Sequence, residues 1–152
     1  MIDAKFANNP ESVANSINDF ITFCRNDFEP KAVYLEMIGF DINYEYWIFD
    51  FFGFKEFFPL DEDLDWLSDW QSDSYNSVEL TGMEHVHEDF RLINENPEER
   101  EKVSDEVRTA AILLVMVRFV ELIGEAFATG KIEPGAVILC TAHDFDIIGR
   151  FE

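Results

Sequence analysis

Two stretches in the first third of the chain alternate in the manner of β-strands, and they constrain the fold more than any other feature. From Ala32 onward, Val33, Leu35 and Met37 alternate with Tyr34, Glu36 and Ile38; beyond a turn-forming stretch at 39–43, residues 44–52 set Tyr46, Ile48 and Asp50 against Trp47, Phe49 and Phe51. Successive side chains of a strand point to opposite faces, so this period of two predicts an antiparallel hairpin with an aromatic inner face. A face of that kind has to be covered by other elements. The material is at hand: 16 phenylalanines and 47% hydrophobic residues in 152 positions suffice for one domain with an aromatic-rich core, and leave no room for a second.

The rest of the chain supplies covering helices and further strands. Asn9-Pro10-Glu11-Ser12 has the chemistry of a helix start, and Val13, Ile17, Phe20, Ile21 and Cys24 follow at helical spacing, with an end near Asn26 ahead of Pro30. A third strand is predicted at 77–82 with Val78 and Leu80 inward, then a helix at 83–94. Asn96-Pro97-Glu98-Glu99 resembles a capping box, and a long helix runs from there, or from a second start at Ser104, to about Thr129. Because 110–117 is apolar on every side, this helix, near 97–129, is predicted to be the buried spine, closed by Gly130 and Pro134. An apolar strand at 136–141 and a short one at 146–151 complete an α+β fold: a small, mostly antiparallel sheet packed against two to four helices in a single domain, 1–152.

Charge restricts what such a domain can bind. There are 32 Asp and Glu against 11 Lys and Arg, a formal net charge of -21. The excess is uneven: 41–89 holds 14 acids and one base, Lys55, whereas from Arg91 to the end 12 acids face 7 bases. A field of this sign repels nucleic acid and anionic membranes and attracts cations, so neither direct nucleic-acid binding nor membrane binding is expected. Cys24 and Cys140 stand apart in apolar settings with no redox or metal spacing, which predicts buried thiols. No signal-like segment is evident, and the longest apolar run, 110–117, is too short to cross a bilayer. The expected location is the cytoplasm.

Three stretches have residues with catalytic potential. Glu84-His85-Val86-His87-Glu88-Asp89 offers two imidazoles, but on the helix expected there they diverge by about 200°, so a metal site needs a third ligand such as His143. Asp50 interrupts an aromatic strand. His143-Asp144-Phe145-Asp146 follows an apolar strand, a common position for functional loops. Phosphate-cradling glycines, a nucleophile elbow and zinc-like cysteine spacing are absent from the sequence. The expectation is a binding protein rather than an enzyme, with no cofactor; the alternative from another class is a metal-dependent hydrolase using His85, His87 and His143.

Residues 60–73 hold six acids and no base. On a helix, Leu60, Leu64, Leu67 and Trp70 share one face with Trp66 at its border, while Asp61, Glu62, Asp65 and Asp69 share the other. A compact acidic α+β domain carrying Asp61, Glu62, Asp63, Asp65, Asp69 and Asp73 interleaved with Trp66 and Trp70 resembles the small immunity proteins that bacteria pair with toxic nucleases. The resemblance implies a basic protein partner, a toxin domain encoded by a neighbouring gene, whose active site or substrate groove is occluded. The carboxylates would steer the encounter, and Trp66, Trp70 and Tyr75 would anchor it. A nucleic-acid mimic or regulatory interaction module, acting on a different basic protein, fits the same charges.

Overall fold

The computed structural model describes residues 4–39, 46–61 and 63–152. Helix α1, Pro10–Cys24, begins where the Asn9 side chain accepts the backbone N–H groups of Glu11 and Ser12 at 2.9 and 3.2 Å, and it buries Val13, Ile17, Phe20, Ile21 and Cys24. Strands β1, Ala32–Ile38, and β2, Ile48–Phe54, pair antiparallel with Leu35 opposite Phe51. The predicted turn at 39–43 falls mainly outside the described residues, as do Tyr44 and Glu62. A two-residue β3, Val78–Glu79, follows; then come α2, Glu84–Glu95, α3, Pro97–Lys102, and α4, Asp105–Ala128; last are β4, Val137–Ala142, and β5, Gly149–Phe151. The sheet order is β3-β2-β1-β4-β5, with β4 parallel to β1 and the other neighbours antiparallel. The fold is therefore α+β, with four α-helices and a mostly antiparallel sheet among the described residues.

The two faces of the sheet are covered by different means. Val33, Leu35, Met37, Phe49, Phe51, Ile138 and Cys140 point to a first face, where they meet α1, α2 and α4 in one continuous core; Phe49 lies against Phe119 of α4, and Trp47 is enclosed by Phe6, His87 and Phe90. Truncating a fully buried ring such as Phe49 costs about 3–5 kcal/mol in proteins generally, so this side dominates stability. The second face carries Ala32, Tyr34, Phe54 and Leu139 and is covered only by a loop segment, through Phe57, Leu60, Trp66 and Leu67, together with Ile147.

The structure changes three expectations. The single long helix expected near 97–129 is instead two helices: Asn96 caps the short α3, the backbone turns extended at Val103, and the long helix α4 starts only at the second predicted start, Ser104. The buried residues of α4, Val115, Met116, Phe119, Leu122, Ile123 and Ala126, lie on one side of the helix from its middle onward, while Val107, Leu113 and Val117 face outward, so the run 110–117 is not covered all round. The described residues of 60–73 do not form the predicted α-helix; among them only Asp65–Ser68 is helical, as a 3-10 turn. Aspartates four apart at 61, 65, 69 and 73 oppose a longer helix. Tertiary contacts complete the override: the Gln71 N–H donates to the Gly53 carbonyl at 2.9 Å and the Gly53 N–H donates to Ser72 Oγ at 3.0 Å, which draws the chain out along β2.

Gly53 is the residue on which that docking depends. A Cβ there would lie 2.8 Å from Cys24 Sγ and 3.2 Å from Ser72 Cβ, so no side chain fits without displacing α1 or the 71–72 segment. Gly53→Val is expected to lower unfolding stability by about 1–3 kcal/mol, the usual range for overpacking, measured by urea denaturation. An unchanged midpoint would mean that the close approach is not a constraint.

Candidate functional site

The cover of the second sheet face is incomplete, and where it stops the sheet changes character. Strand register places Glu36 of β1 beside Asp50 of β2 and Thr141 of β4, a polar row across a sheet whose next row is Tyr34, Phe52 and Leu139. Above this boundary lies a cleft of about 750 Å³. Its floor is Tyr34, Glu36, Ile38 and Phe52; one wall is Leu64, Asp65, Leu67, Ser68 and Trp70, and the other is the turn from His143 to Ile147.

Glu36 and His143 form the polar centre of this cleft. His143 Nδ1 lies 2.6 Å from Glu36 Oε1, and its Nε2 lies 3.5 Å from Asp144 Oδ1. The Glu36 side chain is 16% exposed. The Tyr34 phenol is pushed well above its usual range by burial first and then by the neighbouring Glu36 carboxylate, to which it donates a hydrogen bond. The turn holding His143 is fixed by backbone contacts: the His143 N–H donates to the Met37 carbonyl at 3.0 Å, the Phe145 N–H donates to Ala142 at 3.1 Å, and Thr141 Oγ1 donates to the Asp146 carbonyl at 2.6 Å. Asp144 adopts a left-handed backbone with φ of 65°, which aspartate tolerates better than most residues. A partly buried carboxylate–imidazole pair is seldom the most stable filling for a sheet face, so its presence in a cleft points to a site.

The electrostatics of the cleft are one-sided. Its lining holds four carboxylates, Glu36, Asp65, Asp144 and Asp146, with His143 and no lysine or arginine. Six of the eleven basic residues form ion pairs elsewhere: Arg25 with Glu29 and Glu133, Arg91 with Glu88 and Glu95, Lys102 with Glu99, Arg118 with Glu121, Lys131 with Glu11 and Arg150 with Glu152. None of these pairs draws on a cleft carboxylate. Two aromatic rings stand exposed on the walls, Trp70 at 48%, tilted on Phe52 at 4.8 Å, and Phe145 at 39%.

The residues singled out in the sequence are divided by the structure. Asp65 and Trp70 line the cleft. Asp61, Asp63 and Asp73 are exposed, and Asp63 caps the 3-10 turn by accepting the Asp65 N–H at 2.9 Å. Asp69 faces a separate, smaller hollow beside Lys55 and Gln71. Trp66 is a cover for the sheet and not an accessible anchor, wedged among Phe54, Phe57 and Phe58 at 5.0–6.0 Å. Tyr75 belongs to the opposite side, packed against Phe20, Phe23 and Phe51 in the first core. Glu62 lies outside the described residues. The stretch His143-Asp144-Phe145-Asp146, singled out as a functional loop, forms one wall of the cleft; conversely, Tyr34 and Glu36 were not singled out, and the available signal was Glu36, a carboxylate in the middle of an apolar strand.

The remaining catalytic candidates are separated. His85 and His87 sit on α2, where His87 rests against Trp47, and His143 lies in the β4–β5 turn. Among the described residues no group of three or more His, Cys, Asp or Glu side chains is placed to hold a metal ion. Asp50 accepts a hydrogen bond from the Ser77 hydroxyl. Both cysteines are buried free thiols, and burial pushes Cys24 up to about 11 and Cys140 up to about 12, which leaves neither as a thiolate nucleophile. Among the described residues no helix is long and apolar enough to cross a membrane. Comparison with protein-family models, with curated proteins and with solved structures found no significant match.

The Glu36 hydrogen bond raises the His143 pKa above 6.5, outweighing the opposing effect of burial. Since the folded value is the higher one, the protonated pair contributes stability that is fully present below the unfolded value near 6.5 and is lost as pH rises through the folded value. An NMR titration of the His143 ring is expected to show this upward shift in the native chain and its reversal in Glu36→Gln. A His143 titration insensitive to Glu36→Gln would break the assignment of the pair.

Proposed function

We propose that the protein is an acidic inhibitory binding protein of the immunity type, and that it captures a basic, nuclease-type toxin domain by taking cationic side chains of that domain into the cleft on the second sheet face. The observation that carries this reading is the cleft lining: four carboxylates and no lysine or arginine, with Trp70 and Phe145 exposed beside them. An arginine entering such a space would meet carboxylates suited to bidentate hydrogen bonding and an aromatic face on which the guanidinium can stack. Lysine would gain the charge but not the fork.

The net charge of -21 serves the same purpose at longer range. It raises the encounter rate with a positively charged surface, and added salt screens it. Enzymes that act on nucleic acid line their substrate grooves with lysine and arginine to meet phosphates, so a carboxylate-bearing cleft docked there would compete with the substrate. Most of the binding energy of such interfaces comes from a few desolvated anchors, which assigns Trp70 the leading part and the peripheral aspartates a steering part.

The test uses the purified chain and the basic domain encoded by the neighbouring gene. A stable complex is expected whose association slows with added salt, and in which Trp70→Ala, or Asp65→Asn together with Asp146→Asn, weakens binding by about tenfold or more. Asp19→Asn, on the exposed side of α1 beyond the other sheet face, is expected to leave affinity nearly unchanged. Equal affinity for the cleft variants and the native chain would contradict the reading.

A further inference from the structure

Among the described residues lining the cleft, His143 is the one whose side chain can carry a positive charge. It is already in use. Its Nδ1 lies 2.6 Å from Glu36 Oε1, and Glu36 is the most buried of the four cleft carboxylates, so the cleft holds a counter-ion of its own at the place where a partner's cation would go deepest.

The surroundings explain why a counter-ion is needed there. Glu36 stands directly opposite Asp50 across β1 and β2, and like charges so placed repel. Asp50 is met by the Ser77 hydroxyl, and Glu36 by the Tyr34 phenol and by His143. The other charged groups around the imidazole are acidic too: Asp144 Oδ1 lies 3.5 Å from Nε2, Asp146 follows in the same turn, and Asp65 stands on the opposite wall. No lysine or arginine lines the cleft. Every charged neighbour on the strands, the turn and the 3-10 wall therefore favours the imidazolium, in keeping with a pKa that the Glu36 hydrogen bond raises above 6.5.

Two properties make this counter-ion exchangeable. The backbone of His143 is anchored, its N–H donating to the Met37 carbonyl at 3.0 Å, but its side chain is 42% exposed. The ring can leave Glu36 by rotation about its own side-chain bonds while the sheet stays as it is. Protonation also changes the ring twice over for an incoming cation. As imidazolium, both nitrogens donate and the charge repels a guanidinium. As neutral imidazole with the proton on Nδ1, the ring keeps its contact with Glu36 and turns Nε2 into an acceptor for the guanidinium.

We propose that His143 is a pH-dependent gate on the cleft, which as imidazolium holds Glu36 against the partner's cation and as neutral imidazole lets that cation in. The proposal rests on the reading of the cleft as a receptor for cationic groups and adds the regulation of that receptor. Binding and protonation then oppose each other reciprocally: a bound cation lowers the His143 pKa, and its entry releases up to one proton. Affinity is full above the His143 pKa of the unliganded chain and weakens as pH falls through it.

The probe is a short oligo-arginine peptide, whose charge is constant because arginine does not titrate in this range. Titrated into the isotopically labelled full chain from about pH 6 to about pH 8.5 at constant ionic strength, it is expected to bind about fivefold or more tightly at the upper end. The His143 ring, followed by NMR, is expected to titrate at lower pH with the peptide bound, while His85 and His87, on α2, titrate as before. His143→Gln, neutral throughout, should remove the pH dependence, and His143→Lys, cationic throughout, should keep binding weak at every pH. Affinity independent of pH in the native chain, or rising equally in His143→Gln, would overturn the gate and leave the receptor standing, as would an unchanged His143 titration in a cleft that the peptide occupies. Peptide shifts that avoid the cleft at every pH would remove the receptor and the gate with it, so the two failures are told apart.

Discussion

β1 is the central strand of the sheet, and it is closed in on both faces; the rest of the molecule follows from how unequal those two closures are. Val33, Leu35 and Met37 meet α1, α2 and α4, where regular helices supply broad apolar stripes and satisfy their own backbone groups. Tyr34 and Ala32 look the other way, onto a loop with a single 3-10 turn. A loop cannot cover a five-stranded sheet, because it has little apolar area to offer and must find partners for its backbone. The cover therefore reaches only as far as Leu67 and Trp70, and beyond it the sheet carries the polar row Glu36, Asp50 and Thr141 before Ile38 and Ile48. The cleft is the uncovered remainder of that face.

The charge distribution extends the same division. On the helical side many carboxylates meet lysine or arginine on neighbouring turns, as Arg91 does with Glu88 and Glu95. Such exposed pairs add little stability, but they lower the local field. In the cleft the carboxylates have His143 and the Tyr34 hydroxyl for company, so the field there is left standing.

Much of the fold was legible because it is written locally. The Asn9-Pro10 start of α1, the alternation that buries Trp47, Phe49 and Phe51, and the two starts around Asn96 and Ser104 each follow from residues within a few positions of one another. The site was only half legible. Asp65 and Trp70 were found through the helical periodicity of 60–73, although that periodicity does not correspond to an α-helix; Gly53 and the sheet impose a different path. Tyr75 was placed with them by nearness in sequence, yet it crosses the sheet edge to the other core. Glu36 and His143 are 107 positions apart and meet because β4 lies parallel beside β1, a long-range pairing that no local pattern encodes.

The central claim is that the uncovered half of the second sheet face is a receptor for cationic groups, and it is tested most directly without any partner protein. In an NMR titration of the labelled chain with a short oligo-arginine peptide at moderate salt, the account predicts that the largest shifts fall on the Trp70 indole, the His143 ring and the backbone of residues 143–147, and that Glu36→Gln with Asp65→Asn removes them. Shifts spread evenly over the acidic surface, with the cleft no different from the exposed faces of α1 and α4, would contradict it.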